Sequence, residues 1–444
     1  MDDLKKSVAD LMPSLTADLE RLVRIPSCGW PGYDPAPVRQ SAEAVADIMQ
    51  TAGLSNVHLI EILDGHPAVF GEIHAPSGQP TVLLYAHHDI QPAGPVDQWD
   101  SPPFEPAIRD GRMFGRGAAD DKSGIVMHTG AVRAFGGKPP VGVKILIEGE
   151  EECTAEHLDF LIGEHRELLA ADAVVIADSG LWRRGVPAIT TSIRGVAACT
   201  VTVRVAEKAL HSGVYGSVVP DAITALSRII AGLHDDRGNV RVPGLDRYTA
   251  DGPEFTEADF RKEAGVRDEL ELIGDGSLID RLWRGPSISV VGIDAPSIAD
   301  ASFQVVPEAS AMITMRIAPT DDPKRAMAAL LDHIRALAPW GVSVFITGDE
   351  RASRGYEVDT ANPFYDACRR SMADAWGTEP VDMGMGGSIP LVPELVAVMP
   401  DTAILMTGPS DELASTHSLN ESVDLVELER ACLAEALFLQ YIAK

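Results

Sequence analysis

The chain has 444 residues, of which 45% are hydrophobic and 23% charged, as expected for a soluble protein of two or three domains. Its formal net charge of −29 argues against nucleic acids and anionic membranes as partners, because basic residues are too few to meet phosphate groups. The N-terminal stretch lacks the apolar core of a signal peptide, and no apolar run approaches membrane-spanning length.

The cysteines are far apart and form no CxxC pair, so the sequence predicts neither a disulfide framework nor a thiolate zinc site. They are Cys28, Cys153, Cys199, Cys368 and Cys432. Unpaired cysteines suit a reducing compartment. We therefore expect a cytoplasmic protein.

Helices and strands alternate along the first part of the chain. Apolar residues spaced three or four apart predict helices, and short apolar runs predict buried strands. The predicted helices are 3–24, 36–52, 123–135 and 155–169, and the predicted strands are 57–62, 68–74, 81–86, 141–149 and 171–180. This alternation predicts an α/β sandwich with a largely parallel sheet.

After Arg194 the pattern changes to strands in which apolar and polar residues alternate. The predicted strands are 198–205, 288–294, 310–318 and 342–349, and the predicted helices are 219–234 and 323–338. The order βαββαβ predicts a small open-faced sandwich, ferredoxin-like in type, inserted in the larger domain. Beyond it we expect a strand at 402–407 and a final helix at 422–442. The predicted division is 1–194, the inserted domain 195–350, and 351–444.

The segment TVLLYAHHDIQ, residues 81–91, joins a buried strand to three polar residues. If the backbone stays extended, His87 and Asp89 share one side and His88 points away. A carboxylate beside a histidine fixes the imidazole tautomer in many metal sites. The segment is therefore a candidate metal site, although a strand ending in a polar loop with surface histidines would look similar.

Further acidic and histidine residues lie where predicted strands end or where loops precede helices. In open α/β sheets, ligands cluster at the carboxyl ends of strands. These residues are Asp120 and Asp121 before helix 123–135, the run Glu150, Glu151 and Glu152, Asp178, and His417. Each alone has an ordinary explanation: a helix cap, a solvated charge run, a turn residue or a surface histidine. Together they suit a pair of divalent ions such as Zn²⁺, Mn²⁺ or Co²⁺.

Seven motifs follow one another between about residues 85 and 421. They are AHHDIQPA with QWDSPPFEP, GRGAADDKSG, EGEEEC, LHSGVYG, MITMRIAP, GGSIP and THSLNE. The set resembles the dinuclear metallopeptidase family of carnosinases, carboxypeptidase G, acetylornithine deacetylase and aminoacylase. Within that family the motifs are most similar to those of the carnosinase-like dipeptidases.

The resemblance implies a ligand set for two divalent ions, zinc in the first instance. His87 and Asp178 would bind one ion, and Glu152 and His417 the other. Asp120 would bridge the two.

The resemblance also implies roles around those ligands. Asp89 would orient His87, and the family's cis peptide would fall between Asp120 and Asp121. Glu151 would act as general base towards a metal-activated water, and then as general acid towards the leaving amine.

Substrate-binding roles are implied by the later motifs. Arg316 would bind the substrate's C-terminal carboxylate, with hydrogen bonds from Gly387 and Ser388. His211 would reach across a homodimer, paired through the inserted domain, and stabilise the oxyanion once the domains close. The ordinary alternatives are a strand-edge ion pair for Arg316 and a solvent-facing side chain for His211.

Some positions depart from the carnosinase-like pattern. Gly384 and Met385 stand where Arg and Glu are usual, Gln304 replaces a small hydroxyl residue, and Cys153 and Thr154 replace an apolar residue and a glycine. None is an implied metal ligand. The departures bear on substrate preference and leave the hydrolytic centre intact.

We therefore expect a cytoplasmic, dinuclear metal-dependent hydrolase of peptide bonds, a dipeptidase, whose inserted domain serves as lid and dimerisation domain. An N-acyl-amino-acid deacylase or desuccinylase would share the metals and differ in the substrate pocket. A catalytically inactive metal-binding scaffold is the third possibility, and the presence of Glu151 argues against it.

Overall fold

The computed structural model describes residues 1–153 and 157–444, which form two compact units. The first unit comprises Met1–Thr191, Val358–Met383 and Ile389–Lys444, and the second comprises Ser192–Glu357 and Gly384–Ser388. The chain thus leaves the first unit near residue 191, returns near 358, and contributes 384–388 to the second unit.

Helices and strands alternate up to the first crossing between the units. They are α1 (Asp2–Val23), α2 (Ala36–Thr51), β1 (Ser55–Ile60), β2 (Ala68–Ile73), β3 (Thr81–His87), β4 (Ala107–Arg109), β5 (Arg112–Phe114), α3 (Lys122–Ala134), β6 (Gly142–Glu148), α4 (Leu158–Glu164), α5 (Arg166–Leu169), β7 (Ala173–Ile176) and β8 (Ala188–Ile193). The expected helix 155–169 is divided in two at His165, and residues 154–156 lie outside the described residues.

The second unit and the C-terminal part follow. The second unit contains β9 (Gly195–Arg204), β10 (Leu210–His211), α6 (Ser212–Tyr215), α7 (Ala222–Gly232), α8 (Glu257–Ala264), β11 (Ser287–Asp294), β12 (Gln304–Val305), β13 (Glu308–Ile317), α9 (Pro323–Ala336), β14 (Ser343–Ser353) and β15 (Tyr356–Glu357). After it come α10 (Pro363–Trp376), β16 (Val381–Met385), α11 (Leu391–Val398), β17 (Ala403–Met406), β18 (Ser422–Asp424) and α12 (Leu425–Tyr441).

The large sheet of the first unit has the order β1-β2-β6-β3-β7-β17-β8. Its centre, β6-β3-β7-β17, is parallel, whereas β2 and β8 run antiparallel to it at the two sides, and β1 pairs antiparallel with β2. Every residue of β3 from Val82 to His87 is buried, as expected for a strand covered on both faces. The predicted α/β fold with a largely parallel sheet is confirmed.

The final helix begins at Leu425, three residues later than the sequence pattern predicts, because the residues before it form β18 against β5. Asp424 then caps the helix: its Oδ1 accepts hydrogen bonds from the backbone N–H groups of Val426 and Glu427, at 2.8 and 3.3 Å. The apolar periodicity of a helix does not reveal such a short strand, because three residues carry too little pattern.

The second unit is built on a four-stranded antiparallel sheet of order β11-β13-β9-β14. Helices α7 and α9 supply apolar residues to its core, so the chain order is βαββαβ as predicted. A separate two-stranded pair, β10 with β12, places His211 opposite Gln304. None of the helices in the described ranges combines the length and hydropathy needed to cross a lipid bilayer.

Candidate metal centre

The candidate ligands of the first unit meet at one edge of its sheet. His87 is the last residue of β3, Glu151 and Glu152 follow β6, and Asp178 follows β7. These three strands are parallel neighbours, so the residues after them converge at their carboxyl ends. The glutamates are not a solvated charge run, because Glu150 and Glu152 are 5% and 7% exposed.

Asp120 lies between two histidines, and each of its carboxylate oxygens faces one of them. Oδ1 lies 3.0 Å from His87 Nε2, and Oδ2 lies 3.0 Å from His417 Nε2. His417 Nε2 is also 3.2 Å from Glu152 Oε2. Ligands held at about 2.0–2.2 Å around a tetrahedral ion are separated by about 3.3 Å, so these spacings resemble the edges of a coordination shell.

The donor atoms form two overlapping groups that share His87. One contains His87, Glu151 and Asp178, and the other contains His87, Asp120 and Glu152. Within each group the donor atoms lie within 4.8 Å of one another. Imidazole and carboxylate groups at this spacing fit borderline divalent cations.

Burial and mutual repulsion set the protonation of the carboxyl groups. Burial raises the pKa of Glu151 well above its ordinary value, and the charge of Asp178 raises it further. Burial and the charge of Asp120 do the same for Asp178. Several carboxyl groups in one buried place repel one another when they are charged. Bound cations would offset that repulsion, so the site favours cation binding.

The histidines balance part of this negative charge. Hydrogen bonds to Asp120 and Glu152 raise the pKa of His417 to about 10. Burial lowers the pKa of His87, but hydrogen bonds to Asp120 and Asp89 outweigh it and raise the value well above normal. Burial by itself would raise the pKa of Asp120, but hydrogen bonds from His417 and His87 outweigh it and lower that pKa below its ordinary range.

Asp89 supports a candidate ligand on each side of the site. His87 Nδ1 lies 3.1 Å from the Asp89 carbonyl oxygen and 3.4 Å from its Oδ1, so the two residues lie together as predicted. Asp89 Oδ2 also accepts a hydrogen bond from the backbone N–H of Glu152 at 2.9 Å. His88 points away as expected, with its Nε2 2.9 Å from the carbonyl oxygen of Pro67.

Gln91 and Glu421 support the site, and the sequence analysis assigned a role to neither. Gln91 Nε2 donates to Glu152 Oε2 at 2.7 Å. Glu421 is fully buried and accepts from the backbone N–H groups of Ala119 and Asp120, at 2.9 and 3.1 Å. Both residues lie inside motifs of the sequence, but only their hydrogen bonds reveal what they hold.

The loop that carries Asp120 is fixed by further bonds to Glu421. The carboxylate also receives hydrogen bonds from Arg116 Nη1 at 2.7 Å and the Gly117 backbone N–H at 2.9 Å. The peptide bond between Asp120 and Asp121 is cis, as the resemblance implies. Asp120 is not the cap of α3, whose N-cap residue is Asp121 without a side-chain capping bond.

The predicted substrate-binding residues lie in the second unit. Arg316 Nη1 donates to Ser388 Oγ at 2.9 Å, and the Gly387 carbonyl accepts from the Arg194 backbone N–H at 3.1 Å. Among the described residues no carboxylate forms an ion pair with Arg316, so it is not the strand-edge ion pair considered above. His211 is exposed, and its Nδ1 accepts a hydrogen bond from the Gly213 backbone N–H at 3.1 Å.

The fold and this cluster of imidazoles and carboxylates define a candidate metallohydrolase. The profile of Peptidase family M20/M25/M40 matches residues 83–441, and the chain belongs to that family. The predicted metallopeptidase is thereby confirmed.

Several dipeptidases are similar to this chain over most of its length. The cysteinylglycine-S-conjugate dipeptidase of Corynebacterium striatum is 36% identical over 386 residues, which cover 85% of this chain and 84% of that protein. The human beta-Ala-His dipeptidase is 26% identical over 380 residues, covering 81% and 74% respectively. The solved structure of the dipeptidase Dug1p from Saccharomyces cerevisiae matches with a TM-score of 0.86 at 23% identity, covering 100% and 98% of the two chains.

Proposed function

We propose that this protein is a dipeptidase that uses two divalent metal ions, zinc in the first instance, with manganese or cobalt as alternatives. The observation that carries the proposal is Asp120, whose two carboxylate oxygens each face a different histidine at 3.0 Å. A carboxylate in that position suits a bridge between two ions. The names of the relatives, which are dipeptidases, support the substrate class.

In this proposal each ion has its own ligands beside the bridge. His87 and Asp178 hold one ion, and Glu152 and His417 hold the other. The donor group that joins His87 to Asp178 supports the first pair, and the 3.2 Å separation of His417 from Glu152 supports the second. Asp89 faces the Nδ1 side of His87, so Nε2 is left to act as the ligand atom.

Divalent ions bound there would polarise the scissile carbonyl and lower the pKa of an attacking water. The carboxylate of Glu151 accepts the proton of that water and then donates it to the leaving amine. Its place in a donor group with His87 and Asp178 supports this role, because the base must stand within reach of the reacting water.

Arg316 and Ser388 bind the free carboxylate of the dipeptide. Their mutual hydrogen bond presents a guanidinium and a hydroxyl side by side. Arg316 has no carboxylate partner among the described residues, so its charge is available to a substrate. Gly387 would add a backbone hydrogen bond.

His211 stabilises the oxyanion in this proposal. Because its Nδ1 accepts a hydrogen bond from Gly213, the neutral ring carries its proton on Nε2 and can donate it. Such a donor contributes about 3–4 kcal/mol to an acyl-transfer transition state.

We propose that His211 acts on the other subunit of a homodimer formed through the second unit. The backbone N–H of Ser212 donates a hydrogen bond to the carbonyl of Phe303 at 3.1 Å, so the segment that carries His211 lies beside Phe303. Phe303 is 93% exposed, Ile298 97% and Val218 86%. Apolar side chains as exposed as these mark interfaces when they group together.

A second candidate function is hydrolysis of N-acyl amino acids. The side chain of Met385 lies beside Gly387, where a Cβ atom would be 3.9 Å from its Cγ and Cε. The Met385 thioether, next to the proposed carboxylate-binding residues, carries no charge. It therefore favours an uncharged substrate group, such as an acyl group, more than a charged amine.

The test is a substrate panel assayed on protein reconstituted with zinc, manganese or cobalt. We expect hydrolysis of dipeptides with a free carboxylate and little hydrolysis of their C-terminal amides. Faster turnover of N-acetyl or N-succinyl amino acids would establish the second function instead. Absence of turnover by metal-loaded protein would support the inactive scaffold. The cysteines of the described residues form no disulfide bond, which agrees with the cytoplasmic location that we propose.

A further inference from the structure

A cavity of about 320 Å³ lies within the second unit, lined by Arg194 and by residues between positions 234 and 288 of the chain. Its size falls in the range of small-molecule sites, about 300–1,000 Å³. The residues on which the argument rests are Arg194, Arg247, Arg281, Phe260, Ile273 and Leu278. None of the candidate metal ligands or substrate-binding residues lines this cavity.

Arg194 brings a buried positive charge to the wall of the cavity. It is 8% exposed, and its Nε donates to the Gly386 carbonyl at 3.0 Å. Its Nη1 donates to the Gly285 carbonyl and to Ser287 Oγ, at 3.0 and 3.1 Å. Nη2 forms no hydrogen bond with the described residues, and no carboxylate among them pairs with the guanidinium. A buried charge in this state is costly unless an anion joins it.

Two further arginines of the lining also bond to carbonyl oxygens in place of carboxylates. Arg247 Nη2 donates to the Val240 carbonyl, and Arg281 Nη1 donates to the Ile273 carbonyl at 2.8 Å. Neither forms an ion pair with a described residue. Their charges therefore remain available to a ligand.

The acidic residues of the lining already have partners. Asp275 forms an ion pair with Arg237 and accepts from Asn239 Nδ2 at 3.0 Å. Asp280 accepts from the backbone N–H groups of Ala250 and Ser277, at 2.6 and 3.0 Å. The cavity is thus a locally cationic site in a chain whose net charge is −29.

Much of the remaining lining is apolar or aromatic, as with Phe260, Leu272, Ile273 and Leu278, and His234, Asn239 and Ser287 add polar groups. A fully hydrated inorganic anion would gain nothing from these side chains. We propose that the cavity binds a small organic anion whose carboxylate or sulfonate meets Arg194 and whose apolar body packs on Phe260, Ile273 and Leu278.

The probe that tests this is anilinonaphthalene sulfonate, an aromatic sulfonate that fluoresces when it leaves water. It is titrated into the full-length, metal-loaded protein. Ile273→Glu and Ile273→Lys are the paired variants, because Ile273 is 66% exposed and tolerates either side chain. Ile108→Glu, on an exposed residue outside both the lining and the proposed dimer surface, corrects for probe bound to other apolar surfaces.

We expect saturable binding at one site, weakened about tenfold or more by Ile273→Glu and not weakened by Ile273→Lys. Ile108→Glu should leave that site unchanged. All variants should hydrolyse substrate at the parent rate, which shows that the fold is intact. Equal effects of the glutamate and lysine variants, or a probe signal lost only in Ile108→Glu, would overturn the proposal.

Competition separates the chemical classes of ligand. Phenylbutyrate should displace the probe, whereas phenylbutanol, which lacks the charge, and sodium sulfate, which lacks the apolar body, should not. Displacement by phenylbutanol alone would reveal an uncharged apolar site. Displacement by sulfate at the same concentration would reveal an inorganic anion site, and either result would overturn the proposal.

Discussion

The sheets of the two units are exposed to solvent to different degrees, and the functional residues on them differ in exposure in the same way. In the first unit β3 is buried from Val82 to His87, whereas in the second unit β13 alternates between buried and half-buried residues. A parallel sheet is covered on both faces and an antiparallel sheet on one. His87 and Asp89 are accordingly 0% exposed, while Arg316 on β13 is half-buried.

The comparison indicates what holds the functional side chains of each unit in position. Apart from the exposed His417, the candidate ligands of the first unit lie among buried hydrogen bonds, such as those that the Asp120 loop donates to Glu421. His211 of the second unit has one bond to the backbone two residues away. We infer that the first unit contains a self-sufficient metal site, and that the second contributes groups whose surroundings are completed on assembly.

Replacing Asp120, the proposed bridging carboxylate, tests that self-sufficiency and has the largest expected effect. Asp120→Ala should release both ions and reduce kcat/KM more than about a thousandfold, since supporting residues alone contribute 10- to 100-fold. Elemental analysis after gel filtration measures the ions. His417→Ala should weaken mainly one ion, and the exposed Asp97→Ala is the control. An active preparation that saturates at one ion per chain would contradict the two-ion site.

Glu151→Gln separates chemistry from metal binding. The amide keeps the size of the side chain but cannot take a proton, so kcat should fall about 10²- to 10⁴-fold. Metal content should stay at the parent value. The neighbouring Glu150→Gln is the matched control, because Glu150 bonds to the His66 backbone and to His157 and should change kcat less than tenfold. An equal loss in both variants would show that the base has been misassigned.

His211→Ala tests whether the second unit acts on another subunit. Loss of an oxyanion donor should reduce kcat about 10²- to 10³-fold without loss of metal. Mixed dimers of His211→Ala with Glu151→Gln should regain one working site, because an intact His211 can serve the other chain. His74→Ala, at an exposed histidine, is the control. Verified mixed dimers without recovery, or an active monomer, would rule out action in trans.

Glu421→Gln addresses the support of the metal site and has the smallest expected effect. The amide keeps the volume of the side chain but loses the charge that Arg116 and the Asp120 loop meet. Metal affinity, measured by competition with a chelator, should weaken about 10- to 100-fold. The exposed Glu43→Gln should leave it unchanged. Unaltered metal affinity in Glu421→Gln would show that contacts other than those of Glu421 hold the Asp120 loop in place.

The sequence predicted helices and strands best where the pattern was long. Helices such as α1 and strands such as β13 differ from their predicted bounds by one or two residues. Short elements were not predicted, and the residues of β18 were assigned to the start of α12. Its three residues are strand because β5 pairs with them, which is information that the local sequence does not contain.

For the candidate site, too, part of the information lies in the local sequence and part depends on residues far away in the chain. Residue type and position at strand ends identified His87, Glu151, Glu152 and Asp178, because chain direction alone brings the carboxyl ends of parallel strands to one edge. Asp120 was identified in the turn before α3. His417 was found through the resemblance of its motif. Its approach to Asp120 and Glu152 could not be derived from spacing, since about three hundred residues separate it from either in the chain.

The sequence by itself determined the fold class, the family and the set of candidate ligands, since these follow from apolar periodicity and ordered motifs. Only the tertiary structure decided which oxygen of Asp120 faces which histidine, and that Glu421 and Gln91 hold the site. It also decided that Arg194 is a buried cation beside a cavity. Hydrogen bonds and burial depend on groups far apart in the chain, so no local pattern can specify them.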